Sequence, residues 1–294
     1  DDPIMKLIVR HQTIYSYAAA TGRVAMRLKL TPVDTPAQRV LDWQVLVNDD
    51  RLTGFRPNSY GEMEAIWVCH SPLTHAAIVA EGLVETQDRH GVMGHLNGRV
   101  DPRYFLRETR LTRPSEAIAA MARTLPTGGG PLAMLHALSA AVVDAVQYRA
   151  GVTTSDTSAA DAFALGAGVC QDHAQIFIAA ARTLGVPARY VSGYLLSGDG
   201  DTLHETHGWA EAWLPDLGWI GFDPSNRVCV TERYLRIASG LDADDAAPIR
   251  GSVTVAGDIC IDADVRIAQA EEGMEQRQLQ RQQQQSTPPI PGAG

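Results

Sequence analysis

The sequence predicts an α+β protein: an antiparallel, β-sandwich-like region first, then a helix packed on a second antiparallel sheet. Three observations lead there. Short strand-like runs broken by Gly, Pro, Asn and Asp fill the N-terminal part. A wholly apolar run, Ile176-Phe177-Ile178-Ala179-Ala180-Ala181, lies mid-chain within a segment of helical length. Three further strand-like runs follow it. At 294 residues, one large or two modest domains are expected. We place a β-rich domain at 5–100, a second domain at 101–268 and a Gln/Pro-rich tail at 269–294.

Taken in order, Leu28-Lys29-Leu30, Trp43 to Val47 and Glu64 to Val68 alternate or run apolar, with turn signals at Asp49-Asp50 and Pro57 to Gly61. His11, Thr13, Tyr15 and Tyr17 share one strand face, where cross-strand packing is expected. Residues 88–113 read as a connector. Ser115-Glu116 opens a first helix, Gly128-Gly129-Gly130-Pro131 interrupts, and a second helix is expected from Leu132 to Gln147. The glycine triplet lacks a following Lys-Ser/Thr, so it is a linker and not a phosphate loop. The apolar helix ends at Leu184-Gly185-Val186-Pro187, with glycine as cap. Strands at Ala188 to Leu196, His207 to Leu214 and Trp219 to Asp223 follow, and Gly251 to Ile267 is β-rich again. The low-complexity tail is expected to be disordered.

Composition narrows the function. Hydrophobic content of 45% and charged content of 20% are ordinary globular values. A net charge of −9 argues against nucleic acid or an anionic membrane as partner. No run approaches the roughly eighteen apolar residues of a membrane helix, and Met5 to His11 turns polar too early for a signal peptide. Cys69, Cys170, Cys229 and Cys260 are scattered, as expected of free thiols in a reducing cytoplasm.

The chemistry lies in three places. Gly168-Val169-Cys170-Gln171-Asp172 runs directly into the apolar helix, so Cys170 stands on a first turn, where unpaired backbone N–H groups and the helix dipole favour a thiolate. A lone cysteine in an apolar helix is usually core. The flanking Gly168, leaving room for a substrate, and the helix start favour a nucleophile instead. His207 shares one strand face with Trp209, Glu211 and Trp213. If Pro215-Asp216-Leu217 form the loop, with Gly218 left-handed, Trp213 faces Trp219 and Trp209 faces Asp223. His207 then becomes the diagonal neighbour of Asp223, roughly 7 Å away between β-carbons. A two-residue loop would put Asp223 on the opposite face. His204 competes as the base from a loop-like segment. His173, one turn from Cys170, reads as a polar residue at the helix edge.

These residues resemble the transglutaminase-like superfamily of papain-like thiol enzymes, in its bacterial cysteine-peptidase-like branch. The resemblance runs through Gly168 to Asp172, Arg182 to Tyr194, His207-Gly208-Trp209 and Gly218 to Ser225. His11 to Tyr17 look like the β-rich N-terminal domain of that branch. It implies a papain-like core with Cys170 as nucleophile, His207 as base and acid, and Asp223 orienting the imidazole. The Cys170 backbone N–H would form part of the oxyanion hole. Tyr148, Gln171 and Trp209 become candidate substrate-side residues. Two departures stand out: His173 and Gln175 replace the Phe and His of Cys-Gln-Asp-Phe-Ala-His, and Leu241 stands where many members carry an arginine.

The expected activity is acyl transfer on a peptide or glutamine-type amide through a thioester, hydrolytic unless an amine intercepts it. Peptide or protein substrates are implied and no cofactor. Zinc at Cys170, His173, His204 and His207 is the rival, but Cys-x-x-His without a second spaced pair is a weak signature. The acidic cluster Asp242, Asp244 and Asp245 lacks calcium-loop spacing and reads as solvated. A binding module that kept the fold and lost the chemistry would show a missing triad member, and none is missing.

Overall fold

The computed structural model describes residues 4–270 apart from 97, 199–201, 205 and 255–257. The tail expected to be disordered therefore lies outside the described residues from 271 onward. The side chains of residues 202–204 lie outside them too, His204 included.

The N-terminal strands close into a sandwich. Ile4–Thr21 is the spine of a six-stranded sheet, paired on one side with Leu73–Gln87 and on the other with Ile259–Gln269. A four-stranded sheet built on Arg23–Thr31 and Met63–Cys69 covers one face. Val24, Met26 and Leu28 alternate inward along their strand, as a half-buried strand requires, and meet Val45, Val47, Ile78 and Ala80. The first turn signal is realised by Asn48 and Asp49, both with positive φ.

Ser115 caps the helix Glu116–Arg123 by accepting from the Ile118 N–H, and a second helix spans Gly130–Ala145. A further helix, Ala159–Leu165, was not expected. It is short, capped by Ser158 and stopped by left-handed Gly166. The helix Cys170–Thr183 is buried from Asp172 to Arg182, and left-handed Gly185 follows its end. It packs on an antiparallel sheet ordered Val228–Cys229, Gly218–Asp223, His207–Leu214, Ala188–Leu195 and Tyr234–Gly240. The last of these strands was also unexpected.

The C-terminal strands correct the expected division of the chain. Ile259–Gln269 pairs with Ile4–Thr21, and Ile249–Thr254 pairs with Arg23–Thr31. The chain thus returns to the sandwich after completing the second sheet, and these strands satisfy the edges of the two N-terminal sheets.

Ion pairs stitch the two parts together. Arg236 bonds Glu62 Oε1 at 2.9 Å and Glu211 Oε1 at 3.0 Å, and Arg189 bonds Glu211 Oε2 at 2.7 Å while lying 3.8 Å over the Trp219 ring. All four charged groups are buried. Of the acidic cluster expected to be solvated, Asp244 stays 45% exposed, while Asp245 joins this seam instead. Asp245 accepts from Tyr60 Oη at 2.8 Å and from the Leu241 N–H at 3.0 Å, and its carbonyl accepts from Lys29 at 2.8 Å. Among the described residues no group could hold a metal ion, and no helix is long and apolar enough to cross a membrane.

Candidate active site

Cys170 is the first residue of its helix and is half-buried. Asp172 makes that start rigid. Its Oδ2 accepts from the Val169 N–H at 2.8 Å and from Thr153 Oγ1 at 2.7 Å, tying one orphan donor and the preceding loop to the first turn. This gives Gly168 a different role from the one expected. A β-carbon there would lie 2.6 Å from Asp172 Oδ2, so glycine admits the capping carboxylate and not a substrate.

His207 and Asp223 meet as the three-residue loop requires. Trp213 pairs with Trp219 and Leu214 with Gly218, whose φ is 75°. His207 Nε2 then donates to Asp223 Oδ2 at 2.6 Å. The same oxygen accepts from Asn226 Nδ2 at 2.6 Å and from Tyr234 Oη at 2.8 Å, and Oδ1 accepts from the Asn226 N–H. With Nε2 held, Nδ1 is the ring nitrogen left for Cys170, which hydrogen-bonds the imidazole. Burial alone would lower the His207 pKa. The hydrogen bonds and charges of Asp223 and Cys170 overcome it and push the ring up to about 10. Asp223 is held below its ordinary value: burial opposes ionisation, but the His207 hydrogen bond outweighs it.

The other candidates separate. Tyr148 is 60% exposed on a two-residue strand beside Ala167–Gly168, open to an incoming molecule. Gln171 donates from Nε2 to the Ser155 carbonyl at 3.1 Å and so holds the preceding loop. Trp209 is buried, stacked 6.2 Å from His207 and edge-on to Tyr234, so it supports the imidazole from beneath. His173 is not at an edge. It is fully buried, bonding Ser225 Oγ at 2.8 Å and the Val146 carbonyl at 2.9 Å. His204 pairs through its backbone with Val265 of the sandwich sheet, away from the strand of His207. Asn226 and Tyr234 were missed. Asn226 follows Asp223-Pro224-Ser225, a turn signal that points a side chain back at the aspartate. Tyr234 lies on the unexpected strand.

Two family models match the chain. The transglutaminase-like superfamily model covers residues 119–224, and the bacterial transglutaminase-like N-terminal region covers 7–85. Residues 119–224 thus form a transglutaminase-like core. An uncharacterized protein of Mycobacterium leprae is 26% identical over 89% of this chain and 98% of its own length. A protein-glutamine gamma-glutamyltransferase of Pseudomonas aeruginosa is 34% identical, over 26% of this chain and 12% of that protein. Among solved structures, a Cytophaga hutchinsonii protein proposed to be a cysteine protease has the same fold. Its TM-score is 0.67 at 21% identity, covering 91% of this chain and 98% of the other.

Proposed function

We propose that this transglutaminase-like protein is a hydrolytic thiol acyl-transfer enzyme acting on peptide or glutamine-type amides. The observation that carries the reading is the hydrogen-bonded line from Asp223 through His207 to Cys170, at the start of a buried helix. The Cys170 sulfur attacks the carbonyl carbon, and the oxyanion is held by backbone N–H groups of the first turn, that of Cys170 among them. The C–N bond breaks as His207 Nδ1 gives its proton to the leaving amine. Water, deprotonated by the same nitrogen, resolves the thioester to a carboxylate and returns the thiol. Asp223 keeps the imidazole oriented and favours its charged form throughout.

A second reading, glutamine–amine crosslinking, is favoured by the gamma-glutamyltransferase relative. It needs the same residues and differs only in the group that resolves the thioester. The four cysteines, all unpaired, suit a reducing compartment such as the cytoplasm.

Iodoacetamide labelling of the four cysteines against pH, followed by mass spectrometry, tests the reading. Cys170 is expected to label fastest well below pH 8 and to lose that advantage in His207→Ala. Equal rates at Cys69, Cys170, Cys229 and Cys260 would overturn it. Ammonia release from glutamine peptides, with and without an added primary amine, then separates hydrolysis from crosslinking.

A further inference from the structure

We propose that Tyr234 and Asn226 are positioning residues for the triad, clamping the Asp223 carboxylate, and that the sandwich holds Tyr234 in place for this task. The proposal rests on the thiol-enzyme reading above.

A carboxylate turns readily about the bond to its β-carbon, since terminal torsions of this kind are broad. A single hydrogen bond to His207 would let the Asp223 carboxylate swing away from the ring. Three further bonds prevent it. Tyr234 Oη and Asn226 Nδ2 donate to Oδ2 at 2.8 and 2.6 Å, beside His207 Nε2, and the Asn226 N–H donates to Oδ1 at 3.3 Å. Both oxygens are thus held, from the sheet by Tyr234 and from the turn after Asp223 by Asn226. Tyr234 stays a donor, because burial first and then the Asp223 charge keep its proton on far above neutral pH. Its ring stands edge-on to Trp209 with centres 5.5 Å apart and tilted to His207 at 6.0 Å, so it also walls the imidazole.

Tyr234 opens its strand directly after a tight turn, in which its N–H donates to the Thr231 carbonyl at 3.2 Å. That turn is anchored on both sides. Arg233 Nε donates to the Leu196 carbonyl at 2.7 Å, and the Leu196 N–H returns a bond to the Arg233 carbonyl at 2.9 Å. From the sandwich, the buried Thr86 hydroxyl donates to the Glu232 carbonyl. Thr86 lies on Leu73–Gln87, the strand paired with the spine of the six-stranded sheet. The sandwich therefore grips the chain two residues before the phenol that grips Asp223.

Tyr234→Phe deletes the hydroxyl and keeps the ring. A loosened Asp223 supports the imidazolium less, so iodoacetamide labelling of Cys170 at pH 7 should slow roughly tenfold, the size of one hydrogen bond to a charged group. The midpoint of the labelling profile should move to higher pH. Tyr194→Phe is the control: it loses a buried phenol bond of the same 2.8 Å, whose partner is His11. It should lower the melting temperature and leave the profile in place, as a purely structural role of Tyr234 would. Thr86→Val should move the profile in the same direction as Tyr234→Phe, by less. Should Tyr234→Phe fail to fold, Asn226→Ala, at an exposed position, carries the test with the same direction expected. A wild-type profile selective for Cys170 that the replacement at 234, or in its stead at 226, leaves in place overturns the clamp and leaves the thiol enzyme standing. An effect of Tyr234→Phe with none from Thr86→Val overturns the part given to the sandwich. A wild-type profile with no selectivity overturns the thiol-enzyme reading and the clamp together.

Discussion

Two largely buried imidazoles, one at the candidate active site and one at the seam with the sandwich, are driven in opposite directions. His207 is 13% exposed and is pushed up to about 10; His11 is 5% exposed and is pulled down to about 4. Both lose solvation, and both are hydrogen-bonded at short range. His11 shares its nitrogens with Tyr194 Oη at 2.8 Å and Thr13 Oγ1 at 2.9 Å, both neutral. His207 has the Asp223 carboxylate at 2.6 Å and Cys170 beside it. Burial therefore does not decide the charge state of a histidine here; the charge of its partner does. Cross-strand geometry brings Asp223 to His207, and it separates a charge-paired imidazole from a packing one.

The sharpest way to break the comparison is Asp223→Asn. It keeps the shape of the site but removes the Asp223 charge, leaving Cys170 alone to oppose the burial that lowers His207. The imidazolium, present in the wild type up to about pH 10, should then be lost at a distinctly lower pH. Amide turnover should fall about 10³- to 10⁴-fold, and Cys170 labelling at pH 7 should drop to the rate of Cys69. A variant with wild-type turnover would show that Asp223 does not set the charge of the imidazole.

The same rule governs the buried ion cluster. Glu211 faces Arg189 and Arg236 together, all three buried. Glu211→Gln leaves two guanidiniums short of one countercharge, and unfolding free energy should fall by about 3 to 5 kcal/mol. Urea denaturation measures this. A loss below 1 kcal/mol would mean that neighbouring Glu62 compensates both arginines.

His11 makes the opposite prediction about acid. Its folded value lies below the unfolded one, so the unfolded chain takes up the proton first. The stability it contributes is complete above pH 6.5 and is lost as pH falls from 6.5 towards 4, by roughly 3 kcal/mol in all. His207 has the other sign: its contribution is complete below pH 6.5 and is lost as pH rises through about 10. Urea midpoints of wild type and His11→Gln at pH 7.5 and 4.5 isolate the His11 part. The variant's acid slope should be smaller than the wild type's by that part, His173, also held low by burial, keeping its own share, and parallel slopes would refute it.

What the sequence made legible follows from how local the signal was. Cys170, His207 and Asp223 could be placed together because a helix start and one hairpin loop set their positions, and a loop of three fixes which face Asp223 takes. The sandwich strands were equally visible, through period-two burial. Long-range closure was not. Nothing local in Gly251 to Ile267 says that these strands complete the N-terminal sheets. The strand Tyr234–Gly240 carries a buried arginine, Arg236, that weakens its apolar pattern; only the facing Glu62 and Glu211 make the arginine tolerable. Gly168 was misassigned because its neighbour Asp172 turns back over it, a contact that spacing does not reveal.

His173 gives the smallest and most discriminating test. It lies three residues from Cys170 on the same helix, yet it is fully buried, and its pKa is lowered, by burial first, against partial opposition from the Val146 carbonyl and nearby carboxylates. By the partner rule it belongs with His11: its contacts are the Ser225 hydroxyl and the Val146 carbonyl, both neutral. Ser225→Ala removes one of these and leaves a half-satisfied buried imidazole, so stability should fall by about 1 to 2 kcal/mol. Neither contact reaches the sulfur, and Asp223 keeps its own donors. Cys170 labelling should therefore match the wild type at every pH. A shifted labelling profile in Ser225→Ala would place His173 among the groups that tune the nucleophile, and proximity in sequence would then count for more than the charge of the partner.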